Sequence, residues 1–197
     1  MKKLRKIKKF LGNSLMIVAT LLIAAILLYA YMDFSKNLVS ANENLVPVEL
    51  LYVVDGDTIY VKDEAGEEYK VRLNLINTPE SVHSDENKNN MYGDMASSYT
   101  KGILAEKKEI YLQYDIETED KYGRKLAYVW LEDNVDLNST EHIEKHMLNA
   151  ILVKNGYCKV VLYNNKAYYD QFKTLEEKAI EGNVGLWSYD EYRNMEE

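Results

Sequence analysis

Between positions 10 and 32 the chain runs 23 residues without a charge, and six basic side chains, Lys2, Lys3, Arg5, Lys6, Lys8 and Lys9, stand directly before that run. No other feature restricts the molecule so strongly. A helix over this stretch would be roughly 35 Å long, enough to cross the hydrocarbon of a bilayer. No polar face interrupts it, so it does not suit the wall of a small soluble core. The basic flank at 1–9 is expected to stay cytoplasmic, which exports whatever follows Asp33. Tyr29 and Tyr31 would then meet the outer interface. The competing reading is a signal peptide, whose apolar region is shorter and is followed closely by small residues. Val39-Ser40-Ala41 offers such residues, but far beyond the apolar run. The expectation is a single-pass transmembrane helix at 10–32 with the body outside the cell membrane; the alternative is secretion after cleavage near Ala41. The only cysteine is Cys158, so no lipid-modified cysteine follows the run.

Residues 33–46 are polar and aperiodic and read as a linker. The body beyond it is strongly acidic. Residues 42–197 hold 17 basic and 31 acidic groups, a net of −14, against −8 for the whole chain. A single cysteine excludes a disulfide framework, a cysteine-based zinc site and a CxxC redox centre.

Short β-rich runs come first in the body and helical spacing later. Runs at 48–54 and 58–62 flank Asp55-Gly56-Asp57, a hairpin signal, and 68–76 alternates through Tyr69, Val71, Leu73 and Leu75. Helical spacing marks 93–106, and two more strands, 109–114 and 124–131, enclose a polar turn. A helix at 147–154 ends at Asn155-Gly156, a short strand is expected at 157–163, and 166–182 sets Tyr169, Phe172, Leu175 and Ala179 on one face. This order fits an α+β fold, a small Greek-key barrel packed with about three helices, over 47–190, with a polar tail at 191–197.

Four polar clusters could carry chemistry. In Asp55-Gly56-Asp57-Thr58, glycine lets two carboxylates converge on a hard cation, although such a string is also a plain turn. Arg72 sits on the alternating strand, either facing solvent or, if covered, needing an anionic partner. Asn77-Thr78-Pro79-Glu80 is a polar turn directly after that strand, and Asp120-Lys121-Tyr122-Gly123-Arg124 opens the next long one. Each alone is ambiguous.

Together they resemble one family. The strings VVDGDTIYV, VRLNLINTPES, YGDMASSYTK, DKYGRKLAYVW and LVKNGYCKVV, with the terminal GLWS at 185–188, match the staphylococcal nuclease family in order and spacing. The resemblance implies a five-stranded OB-fold barrel and a calcium-dependent nuclease acting on DNA and RNA. By similarity, Asp57 and Asn77 with the carbonyl of Thr78 would bind one Ca²⁺, and Asp55 would support them from behind. Glu80 would activate the water, and Arg72 and Arg124 would clamp the phosphate. Lys121 and Tyr122 would hold a neighbouring phosphate. A non-catalytic nucleic-acid or protein binding module on the same barrel is the alternative; retention of Asp57, Arg72, Glu80 and Arg124 favours the enzyme. No protein partner is expected, and a monomer is.

The chain departs from the family in three places. Asn77 replaces a metal-binding aspartate and removes a unit of negative charge, so a weaker calcium site is expected. Leu162 and Asn164 replace a tyrosine pair that flanks the base, leaving Tyr163 between them to stack or to be one surface tyrosine among seventeen. A dozen extra residues at 135–146 carry His142 and His146 at helical spacing, which suggests either zinc or an exposed polar helix. Asn138-Ser139-Thr140 also fits a glycosylation sequon. The acidic body should repel a polyanion at long range, so slow association and modest affinity are expected.

Overall fold

A computed structural model of the chain describes residues 20–29, 44–81, 91–165 and 167–195. The chain divides into two units, Met1–Ser40 and Ala41–Glu197. In the first, residues 20–29 form helix α1, with exposed side chains. The rest of the span expected at 10–32, the basic flank and the cleavage point near Ala41 lie outside the described residues. Among the described residues no helix is long and apolar enough to cross a membrane.

The second unit is built on β1 (Val46–Asp55), β2 (Thr58–Lys62), β3 (Glu68–Leu73), β4 (Ile76–Asn77), helix α2 (Met91–Leu104), β5 (Glu109–Gln113), β6 (Lys125–Trp130), α3 (Thr140–His146), α4 (Leu148–Lys154), β7 (Lys159–Val160), α5 (Tyr169–Glu181) and α6 (Asp190–Arg193). Five strands close a barrel in the order β1-β2-β3-β6-β5, the arrangement expected of an OB-fold. β3 and β6 pair in parallel and the remaining barrel pairs antiparallel, so the chain crosses over between them through α2 and β5. Irregular pairing at Leu50/Tyr52 and Val53/Asp55 bends β1, which closure requires.

Alternation decides which side chains fill the barrel. Val48, Ile59, Val61, Val71, Leu73, Ile110 and Leu112 are buried, while Tyr60, Lys70 and Arg72 take the opposite face. Burying each aliphatic side chain contributes about 1.5–3 kcal/mol. β6 breaks the alternation because Ala127, Tyr128, Val129 and Trp130 are all buried. The outward face of β6 is covered too: Tyr128 meets Tyr168 and Phe172 edge-on, at 4.8 and 6.3 Å between ring centroids.

Several expected elements are corrected. The strand expected over 157–163 is two residues long: pairing with the β4 segment ends at the bond from Val161 N–H to the carbonyl of Leu75, 2.9 Å, and Leu162–Asn164 face solvent. The extra residues at 135–146 are not a bare exposed helix: α3 buries Ile143 and hands over to α4 through Met147, which bridges to Trp130. With α3 and the short α6, the unit holds more helices than the three expected. Residues 191–195 do not trail away as a polar tail, and 196–197 lie outside the described residues. Tyr192 is buried, its ring 4.9 Å from Trp187.

Candidate active site

The β1–β2 turn is short because Asp55 pairs directly with Thr58. Gly56 lies so close to Thr78 that an added Cβ would come within 2.8 Å of its hydroxyl, so glycine brings the turn against the segment after β4. The carbonyl of Gly56 accepts from Thr100 Oγ1 of α2 at 2.7 Å.

Both carboxylates are buried, and both are engaged. Asp55 Oδ1 accepts from Gly56 N–H at 2.7 Å and from the Ser81 hydroxyl at 2.6 Å. Asp57 Oδ2 accepts from Thr78 N–H at 2.8 Å and Thr78 Oγ1 at 3.0 Å, and is ion-paired with Arg72; Oδ1 accepts from Thr58 Oγ1 at 3.1 Å. Arg72 also donates through Nη2 to Asn77 Oδ1 at 2.8 Å. Its side chain is only 12% exposed, so the solvent-facing reading fails and the anionic partner a covered arginine needs is Asp57. Asp57, Arg72, Asn77 and Thr78 thus form one connected group, and Asp55 is tied separately to Gly56 and Ser81.

Asn77 is held by residues that sequence reasoning missed. β4 pairs with β7, and the N–H of Val160 in β7 donates to buried Glu176 of α5 at 2.6 Å. The preceding turn holds Leu75 at φ 63°, a left-handed conformation that costs a leucine free energy. Asn149 of α4 donates to Asn74 O at 2.9 Å and accepts Val129 N–H at 2.9 Å, and Asn165 donates to Asn74 Oδ1 at 3.2 Å. The available signal was an amide inside an apolar run, Leu148-Asn149-Ala150. Glu80 is exposed, and its carbonyl oxygen lies where a Cβ at Gly93 would come within 2.3 Å, so the segment rests on bare helix backbone.

Arg124, Lys121 and Tyr122 occupy a second, more open group. Asp120 accepts from the backbone N–H of Tyr122 and Arg124 at 2.9 and 3.0 Å, from Arg124 Nε at 2.7 Å, and pairs with Arg124 Nη2 at 2.7 Å. Partial burial raises the pKa of this carboxyl, but the Arg124 and Tyr122 donors and the guanidinium charge outweigh it, leaving it below the ordinary value. Tyr122 is 72% exposed, with Lys121 Nζ 5.0 Å and Arg124 Cζ 5.5 Å from its ring centre. Tyr163 is exposed on another loop, tied to this hairpin by Asn164 and Asn165, both bonded to Glu117. The register sets Arg72 opposite Leu126, two residues past Arg124. The Arg124 side chain is engaged by Asp120 and lies over the ring of Tyr122.

Asp55, Asp57, Asn77 and the Thr78 carbonyl are oxygen donors without nitrogen or sulfur, which suits a hard cation such as Ca²⁺. Among the described residues no group of three or more His, Cys, Asp or Glu side chains could hold a metal. His142 Nδ1 accepts the Asp136 N–H at 2.8 Å, which puts the proton on Nε2 and removes the lone pair zinc would need. Cys158 is fully buried; burial and then the charges of Asp57 and Glu176 push its thiol pKa up, against Arg72, so it stays an inert thiol.

A family model described as staphylococcal nuclease homologue matches residues 70–189. The chain belongs to the staphylococcal nuclease homologue family. Relatives of this family member include a thermonuclease of Staphylococcus hyicus, 30% identical over 92% of the chain and 99% of the relative. A thermonuclease of Staphylococcus intermedius is 35% identical over 68% of the chain and 72% of the relative. Endonuclease YhcR of Bacillus subtilis is 31% identical over 69% of the chain but only 11% of that longer protein. At the level of the family, the function is that of a nuclease.

Proposed function

We propose that the chain is a calcium-dependent phosphodiesterase that hydrolyses DNA and RNA outside the cytoplasm. The supporting observation is the buried Asp57–Arg72–Asn77–Thr78 group, assembled from the β1–β2 turn, β3, β4 and the segment after it. A structural ion pair between Asp57 and Arg72 would not need a second buried carboxylate, Asp55, in the same turn.

Each residue has a task in this reading. Arg72 and Arg124 offer planar, multiply donating guanidinium groups to phosphate oxygens, where charge builds as water adds to phosphorus. In the free chain each is held on a carboxylate, Asp57 and Asp120, so both are oriented before substrate arrives. Glu80 is the general base: its carboxylate takes the proton of the attacking water as the new P–O bond forms. The opposite P–O ester bond breaks with its electron pair on the departing oxygen, which takes a proton from solvent. Lys121 and Tyr122 hold a neighbouring phosphate, and exposed Tyr163 offers its ring to a base. A Ca²⁺ ion held by Asp57, Asn77 and the Thr78 carbonyl, with Asp55 behind them, would supply Lewis-acid stabilisation of the phosphoryl oxygens. Asn77 brings no charge, so its affinity is low and suited to the millimolar calcium of an extracellular setting.

The nuclease unit takes in 47–190, acts as a monomer, and is carried outside the membrane by 10–32 or released near Ala41. The uncharged run behind six basic residues supports this. The test incubates the full chain with plasmid and with RNA, in Ca²⁺ or in chelator. Degradation is expected in Ca²⁺ only, reduced about 10²- to 10⁴-fold by Glu80→Ala or Arg124→Ala. Binding without cleavage would make the chain a non-catalytic module.

A further inference from the structure

Tyr52 of β1 and Tyr60 of β2 face each other across the strands and stack, with ring centroids 5.0 Å apart and planes inclined by 27°. The barrel core claims neither ring. Ile59 and Val61 point inward and are fully buried, and the pleat sends Tyr60 outward between them. Tyr52 is 54% exposed.

The rows on either side give the pair a direction. Tyr60 stands opposite Lys70 of β3, which is exposed, and two residues along β2 Thr58 stands opposite Arg72. Lys70 and Arg72 therefore share one face of β3, as Tyr60 and Thr58 share one face of β2, with a row spacing of about 7 Å. The face carrying the tyrosines is continuous with the Asp57–Arg72 group. On the far side, Lys62 stands between Glu49 and Glu68. That row has a net negative charge and closes the stretch to a polyanion. What remains is the row of Tyr52, Tyr60 and Lys70, next to the row of Arg72. A cross-strand tyrosine pair also favours its hairpin, but that role does not account for an exposed lysine in the same row and the site arginine in the next. In OB-fold barrels generally, the face of the second and third strands is where oligonucleotides lie.

We infer that Tyr52 and Tyr60 form a stacking platform for the nucleotide next to the scissile phosphate, with Lys70 on its phosphate. The substrate it selects is a single-stranded stretch of nucleic acid, because a base must leave its neighbours to expose a face to the rings. The inference rests on the nuclease reading above. It also places base stacking on β1 and β2, in a chain where Leu162 and Asn164 offer no ring.

Two measurements on the full chain decide it. Anisotropy of a labelled single-stranded DNA decamer is read at low salt in chelator, where cleavage is stopped. Turnover of a nitrophenyl ester of a thymidine phosphate, too short to reach the platform, is read in Ca²⁺. Tyr52→Ala and Tyr60→Ala are expected to raise the decamer Kd about tenfold and to leave ester turnover unchanged. Tyr52→Phe keeps native binding, since stacking needs the ring and not the hydroxyl. If Tyr52→Ala lowers the melting midpoint, Tyr52→Leu, which keeps apolar bulk on the strand, takes its place and should weaken decamer binding alike. Native-like decamer binding by the ring-less variants overturns the inference. So does an equal loss of decamer binding and ester turnover, or no decamer binding by the native chain. Failure of the native chain to cleave any phosphodiester would sink the nuclease reading instead, while the anisotropy still decides the platform.

Discussion

Asp57 and Tyr122 both belong to hairpin turns, yet their surroundings are opposite. The carboxylate is 6% exposed and receives donors from Thr58, Thr78 and Arg72, whereas the phenol is 72% exposed and touches two cations at 5.0 and 5.5 Å. The Asp57 group is fixed before any substrate arrives, so its charges need no reorganisation during reaction. The Tyr122 group has a hydrogen-bonded base, the Asp120 knot, and exposed side chains above it, which suits a substrate of varied sequence. In the proposed reading the buried group serves the reaction together with Arg124 and Glu80, while exposed Lys121 and Tyr122 serve adaptable binding.

The largest expected effect comes from removing the centre of the buried group. Asp57→Ala leaves Arg72 and Thr78 without their acceptor; cleavage is expected to fall by at least about 10³-fold and stability by about 3 kcal/mol. Urea unfolding beside a cleavage assay reads both. Asn149→Ala touches no substrate but strips the Asn74 turn and β6 of buried hydrogen bonds, for a loss of about 2–3 kcal/mol in urea. Smaller still is Tyr122→Ala, expected to raise KM about tenfold with kcat unchanged, read from initial rates on one oligonucleotide.

The smallest effect concerns pH. Asp120 has a pKa below that of an unfolded aspartate, so its contribution is complete above the unfolded value and lost as pH falls through the folded one. The Arg124 Nε proton resonance should hold its position from neutral pH down to about 4 and move only below that. Movement near neutral pH would mean that Asp120 does not hold the arginine.

The barrel was readable because period-two alternation at 68–73 and the Asp55-Gly56-Asp57 turn are local signals. Arg72 was readable as a site residue only through its place among the four clusters; its burial depends on Asp57, which lies on another strand and obeys no local rule. Glu176, Asn149 and Asn165 went unread for the same reason, since each bonds a backbone group far away in sequence, and so did Ser81, whose hydroxyl donates to the distant Asp55 carboxylate. The extra helix α3 was visible as helical spacing, but not the burial of Ile143 in the main core or the bridge from Met147 to Trp130.

Arg72→Lys tests the central division of labour most directly, because it keeps the charge beside Asp57 and removes only the planar, doubly donating shape. Steady-state cleavage of one labelled oligonucleotide in saturating Ca²⁺ should show kcat falling about hundredfold while KM stays within about threefold of native. A raised KM at native kcat would place Arg72 in binding rather than in the reaction and contradict the account.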